Sequence, residues 1–320
     1  MTQILVAGLS AGVASALLFA STLSGTAASM LLLCLASLPV TIAALGWHHW
    51  AGLLAALLGA VLLAVLVHPY VAVNFLALAG IPGWGLGYLA LLGRPVANGG
   101  TPQMEWYPPG RLVLWAALYG AAVVAVGVLM LEGDEATLRK DLGALVDLIL
   151  HPPDIPGLPP VPPDVAAIDP DLLVTLLARV FLPLLALLAG FVPLANLWLA
   201  GHVVRVSGRL PRPWPDLAAL SLPRPAAVMY AAAIAAAVLL PGLAGIAASG
   251  FVAALTMAFA VGGLALLHAV TRGMRGRAWM LAGAYAVMTI IGPWPMTAVG
   301  LGDTVFDLRR LKRGPGARQE

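Results

Sequence analysis

Residues 171–204 read DLLVTLLARVFLPLLALLAGFVPLANLWLAGHVV, and Arg179 is the only charged side chain after the opening Asp171. A bilayer's hydrocarbon core is about 30 Å thick, so about 20 apolar residues in a helix cross it. These 34 residues reach about 51 Å at the helical rise of about 1.5 Å per residue. The run is longer than a span needs. Pro183 and Pro193 lie inside it, which predicts a kinked or tilted helix whose inner end leaves the membrane.

The rest of the chain repeats this character. Apolar runs of spanning length occupy 4–22, 27–47, 70–93, 111–132, 225–247 and 250–271, and the shorter run 51–67 is fully apolar. A further stretch, 278–307, is interrupted by Gly292-Pro293-Trp294-Pro295. Of 320 residues, 61% are hydrophobic and 10% charged, with a mean hydropathy of +0.96. A soluble domain has about 45–50% and 25%, so the composition excludes a water-solvated enzyme. The predicted fold is an all-α polytopic transmembrane bundle of about eight spans plus a broken C-terminal segment. It is organised as one membrane domain, 1–303, followed by a basic cytoplasmic tail, 304–320. The first run lacks Lys or Arg before it and reads as a retained helix rather than a cleaved signal peptide.

Charge sets the expected orientation. Nine of the 14 acidic residues fall between Glu132 and Asp171, where the only basic residues are Arg139 and Lys140. The connections 94–111, 205–224 and 272–277 carry arginine and almost no acid, and the tail adds Arg309, Arg310, Lys312, Arg313 and Arg318. Short basic loops are retained in the cytoplasm. The N-terminus, these loops and the tail are therefore expected inside a bacterial inner membrane, and the acidic loop outside. A full ninth crossing would move the tail outside, so 278–307 reads as re-entrant. Within the acidic loop, 134–150 places Leu138, Leu142, Leu145, Val146 and Ile149 on one helical face, as in a helix lying at the outer interface. The following HPPDIPGLPPVPPD reads as a stiff polyproline spacer.

Few residues carry chemistry. Gly8-Leu9-Ser10-Ala11-Gly12 fits a G-x-S-x-G nucleophile pattern, but that pattern has meaning at a strand-to-helix turn. Here Ala7, Gly8, Ala11, Gly12 and Ala16 instead form small-xxx-small ladders suited to close approach of another helix. That helix belongs either to this chain or to a second integral membrane protein. Trp47-His48-His49-Trp50 reads as an interfacial anchor. Arg179 is the intramembrane charge, expected to face the bundle interior or a wet cavity, with snorkelling to the headgroups as the alternative. Asn74 and Asn196 are the polar candidates for that cavity, each equally suited to a helix-packing hydrogen bond. The single cysteine, Cys34, excludes an intramolecular disulfide. No phosphate loop, H-E-x-x-H or paired-cysteine signature occurs. The expectation is therefore no enzyme activity, no cofactor, no metal and no nucleic-acid partner, with the lipid bilayer as surroundings and the small-molecule ligand unspecified.

The stretch Glu105-Trp106-Tyr107-Pro108-Pro109-Gly110-Arg111-Leu112, the ending 300–310 (GLGDTVFDLRR) and the proline-rich basic loop Arg205–Arg224 resemble the YybS-like family of multi-pass bacterial membrane proteins. That family is similar to the substrate-binding S-components of energy-coupling-factor vitamin importers. Pro39 followed by Gly46, Gly52 and Gly59 resembles their glycine-spaced helices, and Ala7-x-x-x-Ala11 resembles the alanine motif that docks them on a transmembrane partner. The resemblance implies a solute-binding or transport-related subunit. The rival reading is a membrane scaffold or assembly factor without a small ligand. S-components have about six helices, fewer than here, and no vitamin-pocket signature carries over.

Orientation is testable on intact cells. With Cys34→Ser as background, an impermeant thiol reagent is expected to label a cysteine at Ala136 and spare one at Ser207. The opposite pattern reverses the topology.

Overall fold

A computed structural model describes residues 1–97, 102–130, 134–151 and 168–309. The chain builds fourteen α-helices and one β-hairpin there. No water reaches backbone groups inside a bilayer, so each span must close its own hydrogen bonds. Among the described residues, seven helices are long and apolar enough to cross a membrane, or eight if one bent pair counts as a span.

The first half packs α1 (Thr2–Ala20), α2 (Ala27–Cys34), α3 (Leu38–Gly46), α4 (His49–Leu66), α5 (Pro69–Phe75) and α6 (Ile81–Ala90). The second half packs α7 (Pro109–Leu129), α8 (Glu135–Leu150), α9 (Pro170–Leu176), α10 (Leu182–Val206), α11 (Pro225–Leu239), α12 (Gly242–Val270), α13 (Arg277–Ile291) and α14 (Trp294–Phe306). α1 lies along α4, while α12 is the axis of the second half and touches α7, α10, α11 and α14. The halves meet where α10 packs on α3 and α6, around Leu45, Ala90, Leu112, Ala200 and Val204.

Proline marks three of the irregularities within the spans. It cannot donate to the carbonyl four residues back. Pro82 follows a π turn at Leu76–Gly80, and Pro183 follows another at Leu177–Phe181. In both places the helix widens by one residue and continues, so 170–206 remains one rod of 37 residues rather than breaking. At Pro39 the ladder does break, between α2 and α3. The carbonyls of Cys34 and Ala36 there accept hydrogen bonds from Asn196 Nδ2 (2.7 Å) and Ser15 Oγ.

Four sequence expectations change. Residues 225–247 are not one span: α11 stops at Leu239 before Pro241, and the residues after belong to α12. At 15 residues α11 reaches about 22 Å. The connection 94–111 is more than a loop, since β1 (Gly93–Ala97) pairs antiparallel with β2 (Pro102–Trp106) and Arg94 bridges Glu105 at 2.7 Å. The apolar face of α8 is not left to lipid alone, because Val146 and Leu150 pack with Leu142 on Leu173, Val174 and Leu177, while Leu145 stays exposed. The boundary between 303 and 304 falls inside α14. The polyproline segment 152–164 and the tail beyond Arg309 lie outside the described residues.

The broken C-terminal segment is a V: α13 and α14 differ in direction by 116°. At 15 and 13 residues, each arm is about 20 Å long, short of a crossing. α14 is seated by glycine against glycine, with Gly263 against the Met296 carbonyl and Gly300 against the Phe259 carbonyl. A Cβ at either position overlaps backbone. Gly300→Ala is therefore expected to lower stability by about 1–3 kcal/mol, whereas Gly283→Ala, in α13 with nothing within 4 Å, is expected to be neutral or mildly stabilising. Thermal melting of both variants in detergent checks the contrast.

Candidate ligand site

After α10, the chain does not turn directly into α11. Pro211, Pro213, Pro215 and Pro223 fix φ at four places and hold 207–224 as an extended strap. Arginines from around the fold tie it down. Arg212 Nη1 donates to the Ala90 carbonyl at 2.7 Å. Arg309 donates to the Ala218 and Leu220 carbonyls at 2.7 and 2.5 Å, and its Nε meets Asp303 at 2.8 Å. Arg272 forks onto both Asp216 oxygens, at 3.1 and 2.9 Å. Arg205 stacks over Trp214, and Arg209 over Trp47.

Beneath the strap lies a cavity of about 770 Å³ bounded by α7, α10, α12 and α13, within the size range of small-molecule sites. Its floor is apolar: Leu112, Phe191, Leu194, Trp198, Val261 and Leu264. Its rim is cationic, with Arg212, Arg272 and Arg277 against Asp216 as the one acid. Arg272 and Asp216 satisfy each other. Arg212 and Arg277 each keep a buried Nε without a partner among the described residues.

Electrostatics follow from these contacts. Hydrogen bonds from Arg272 hold the Asp216 carboxyl below its ordinary range. A carboxylate with a depressed folded value stabilises the fold above its unfolded value, and that contribution is lost only as pH falls through the folded one. The Asp216–Arg272 latch is thus expected to persist until pH drops below the usual carboxylate range. Burial pulls the Arg212 guanidinium below its ordinary value, in the direction an unneutralised cation moves on leaving water. Arg277 Nη2 lies 3.5 Å from His268 Nδ1, and His268 Nε2 lies 3.2 Å from the Tyr285 hydroxyl. A cationic N–H at Nδ1 makes that nitrogen the acceptor, so Nε2 carries the proton and donates to Tyr285. The Tyr285 O–H then remains available as a donor.

None of the cavity candidates from the sequence lines this site. Arg179 is exposed in the π turn before Pro183 and does not line this cavity, a position that matches the snorkelling alternative. Asn74 donates to the Tyr70 carbonyl one turn back at 2.9 Å. Asn196 is 2% exposed and bonds Cys34 and Ser37 across helices at 2.7 Å, which is packing rather than ligation. The small-residue face of α1 divides. Gly8, Gly12 and Ala16 are buried, the two glycines against Ala51, Leu54 and Ala55 of α4, so that part of the face is internal packing. Ala7 and Ala11 border an open groove of about 730 Å³ between α1 and α3. Ser10 donates to the Val6 carbonyl and lines that groove, while His268 lines the strap cavity, so the two are not partners. Sequence reading missed the strap residues because their arginines had been assigned to orientation alone. The spacing of Pro211, Pro213 and Pro215 around Arg212 and Trp214 was the available signal.

The Asp303–Arg309 pair is the strap's deepest anchor, with side chains 6% and 17% exposed. Removing one partner from such a pair strands the other charge, at a cost of about 3 kcal/mol. Arg309→Met is expected to lower the melting temperature and speed hydrogen exchange at 217–222, whereas Arg179→Leu is expected to leave both unchanged.

No protein-family model, no curated protein and no solved structure matches this chain, so its role has to be read from the chemistry of the site.

Proposed function

We propose that this chain is a ligand-binding, transport-related membrane subunit, and that its ligand is an amphiphilic anion held beneath the strap. One observation carries the reading: the guanidinium groups of Arg212 and Arg277 line, above an apolar floor, a cavity of about 770 Å³ whose one acid is paired with Arg272. An anion there meets charge-assisted guanidinium donors, and an apolar body attached to it fills the floor. From His268 to Val261 the lining reaches about 10 Å along the α12 axis, deep enough to take more than a headgroup. The likeness to the YybS-like family and to S-components points the same way. Placing the strap on the cytoplasmic side of a bacterial inner membrane is part of this proposal and rests on the arginine bias.

A scaffold or assembly role is the second reading. The groove between α1 and α3, bordered by Ala7, Ala11, Leu38 and Ile42, is its supporting observation, since small residues there admit a partner helix.

The two readings separate on purification from native membrane. Mass spectrometry is expected to find one amphiphilic anion retained per chain. Leu194→Trp, which fills the cavity floor, is expected to lose it without loss of folding. Equal recovery from both forms, or no retained molecule, removes the ligand-binding reading.

A further inference from the structure

Resting on that cavity reading, we infer that the anion is the phosphomonoester headgroup of a lipid that enters sideways past α13. Three observations converge on this chemistry.

The first is access. α13 buries none of its residues, and it meets the bundle chiefly through α14. Yet Arg277 and Tyr285 from α13 form one flank of the cavity. That flank is a single helix standing in the bilayer, so a molecule already in the leaflet reaches the cavity without passing through water.

The second is the arrangement of donors. Arg212 comes from the strap and Arg277 from the start of α13, and both line the cavity. Tyr285 adds a hydroxyl. No side chain caps the N-terminus of α13 and no acid lies in its first turn, so the positive end of that helix adds to the same field. A carboxylate has two coplanar oxygens and fits one guanidinium fork, as Asp216 already does with Arg272 at 2.9 and 3.1 Å. A tetrahedral phosphate presents oxygens in several directions and can meet guanidinium groups from two walls together.

The third is charge. With Asp216 cancelling Arg272, Arg212 and Arg277 remain in excess at the rim. A phosphomonoester carries about −1.5 to −2 at neutral pH, which matches that excess, whereas a phosphodiester leaves one guanidinium unpaired. Trp198, Trp214 and Leu194 then cover the apolar stem below the headgroup.

The test uses the full chain in phosphatidylcholine nanodiscs and reads tryptophan quenching by lipids with brominated acyl chains. Trp214→Phe identifies the part of the signal that comes from the strap. Brominated phosphatidic acid is expected to quench with about tenfold preference over brominated phosphatidylcholine at equal mole fraction, the factor set by about one charge-assisted contact. Arg212→Gln with Arg277→Gln is expected to erase that preference. The paired Arg→Lys substitutions keep the charge but lose the fork, and are expected to retain part of it at unchanged melting temperature. Equal quenching by brominated phosphatidic acid and brominated fatty acid, with the Gln pair without effect, overturns the phosphate assignment and leaves the cavity reading standing. Inorganic phosphate that raises the melting temperature while brominated phosphatidic acid fails to quench overturns the lipid source. No quenching of Trp214 by any brominated amphiphile removes the cavity reading together with this one.

Discussion

Everything in this bundle answers to one constraint: a backbone carbonyl inside a bilayer has only protein to bond to. The chain carries 26 prolines, and each one within a span frees a carbonyl. Two local solutions recur. Before Pro82 and Pro183 the helix widens into a π turn, which is the smallest change that clears the ring. Side chains from other helices also donate to carbonyls near these sites. Asn196 and Ser15 serve the break at Pro39, Tyr119 reaches the Ala77 carbonyl in the first π turn at 2.8 Å, and Thr41 reaches Gly83 at 3.2 Å. These repairs are also the cross-links between helices, so the polar residues of the core are mostly structural.

The same economy governs the arginines. A basic loop is enough to hold orientation if its charges merely face the cytoplasm. Here Arg212, Arg272 and Arg309 are instead spent on carbonyls and carboxylates of the strap and its surroundings. Orientation needs only the charge, whereas the strap needs the fork of donors, so arginine serves both and lysine serves one. In the connections 94–111, 205–224 and 272–277 and in the tail as far as Arg309, every Lys-or-Arg position is arginine.

That double use explains what the sequence made legible. Long apolar runs decide the fold class, because composition alone leaves no surface for water, and seven of the spans follow from it. The V at 292–295 was legible from two prolines around a tryptophan. Hydropathy runs straight through 225–247, but Pro241 separates α11, which ends at Leu239, from α12, which starts at Gly242. The strand pair Gly93–Ala97 and Pro102–Trp106 is five residues a side with a proline in each strand, too short and too irregular to show as an alternating apolar pattern. Arg179 shows the deeper limit. Hydropathy says a charge stands in an apolar run, but which face it occupies depends on the extra residue inserted before Pro183, which a regular helical periodicity does not include.

The strap cavity owes its existence to the same limit. Four prolines prevent 207–224 from folding as a helix against α7 and α12, so the strap bridges the end of the bundle without filling it. α13, bent away at 292–295, closes the flank with one helix rather than a packed layer. A void this large lined only by leucine would lose dispersion contacts on every wall, and neighbouring side chains would tend to collapse into it. Arg212 and Arg277 oppose that collapse, because burying a guanidinium deeper in an apolar core costs more than leaving the space open. The two arginines therefore keep the cavity from closing.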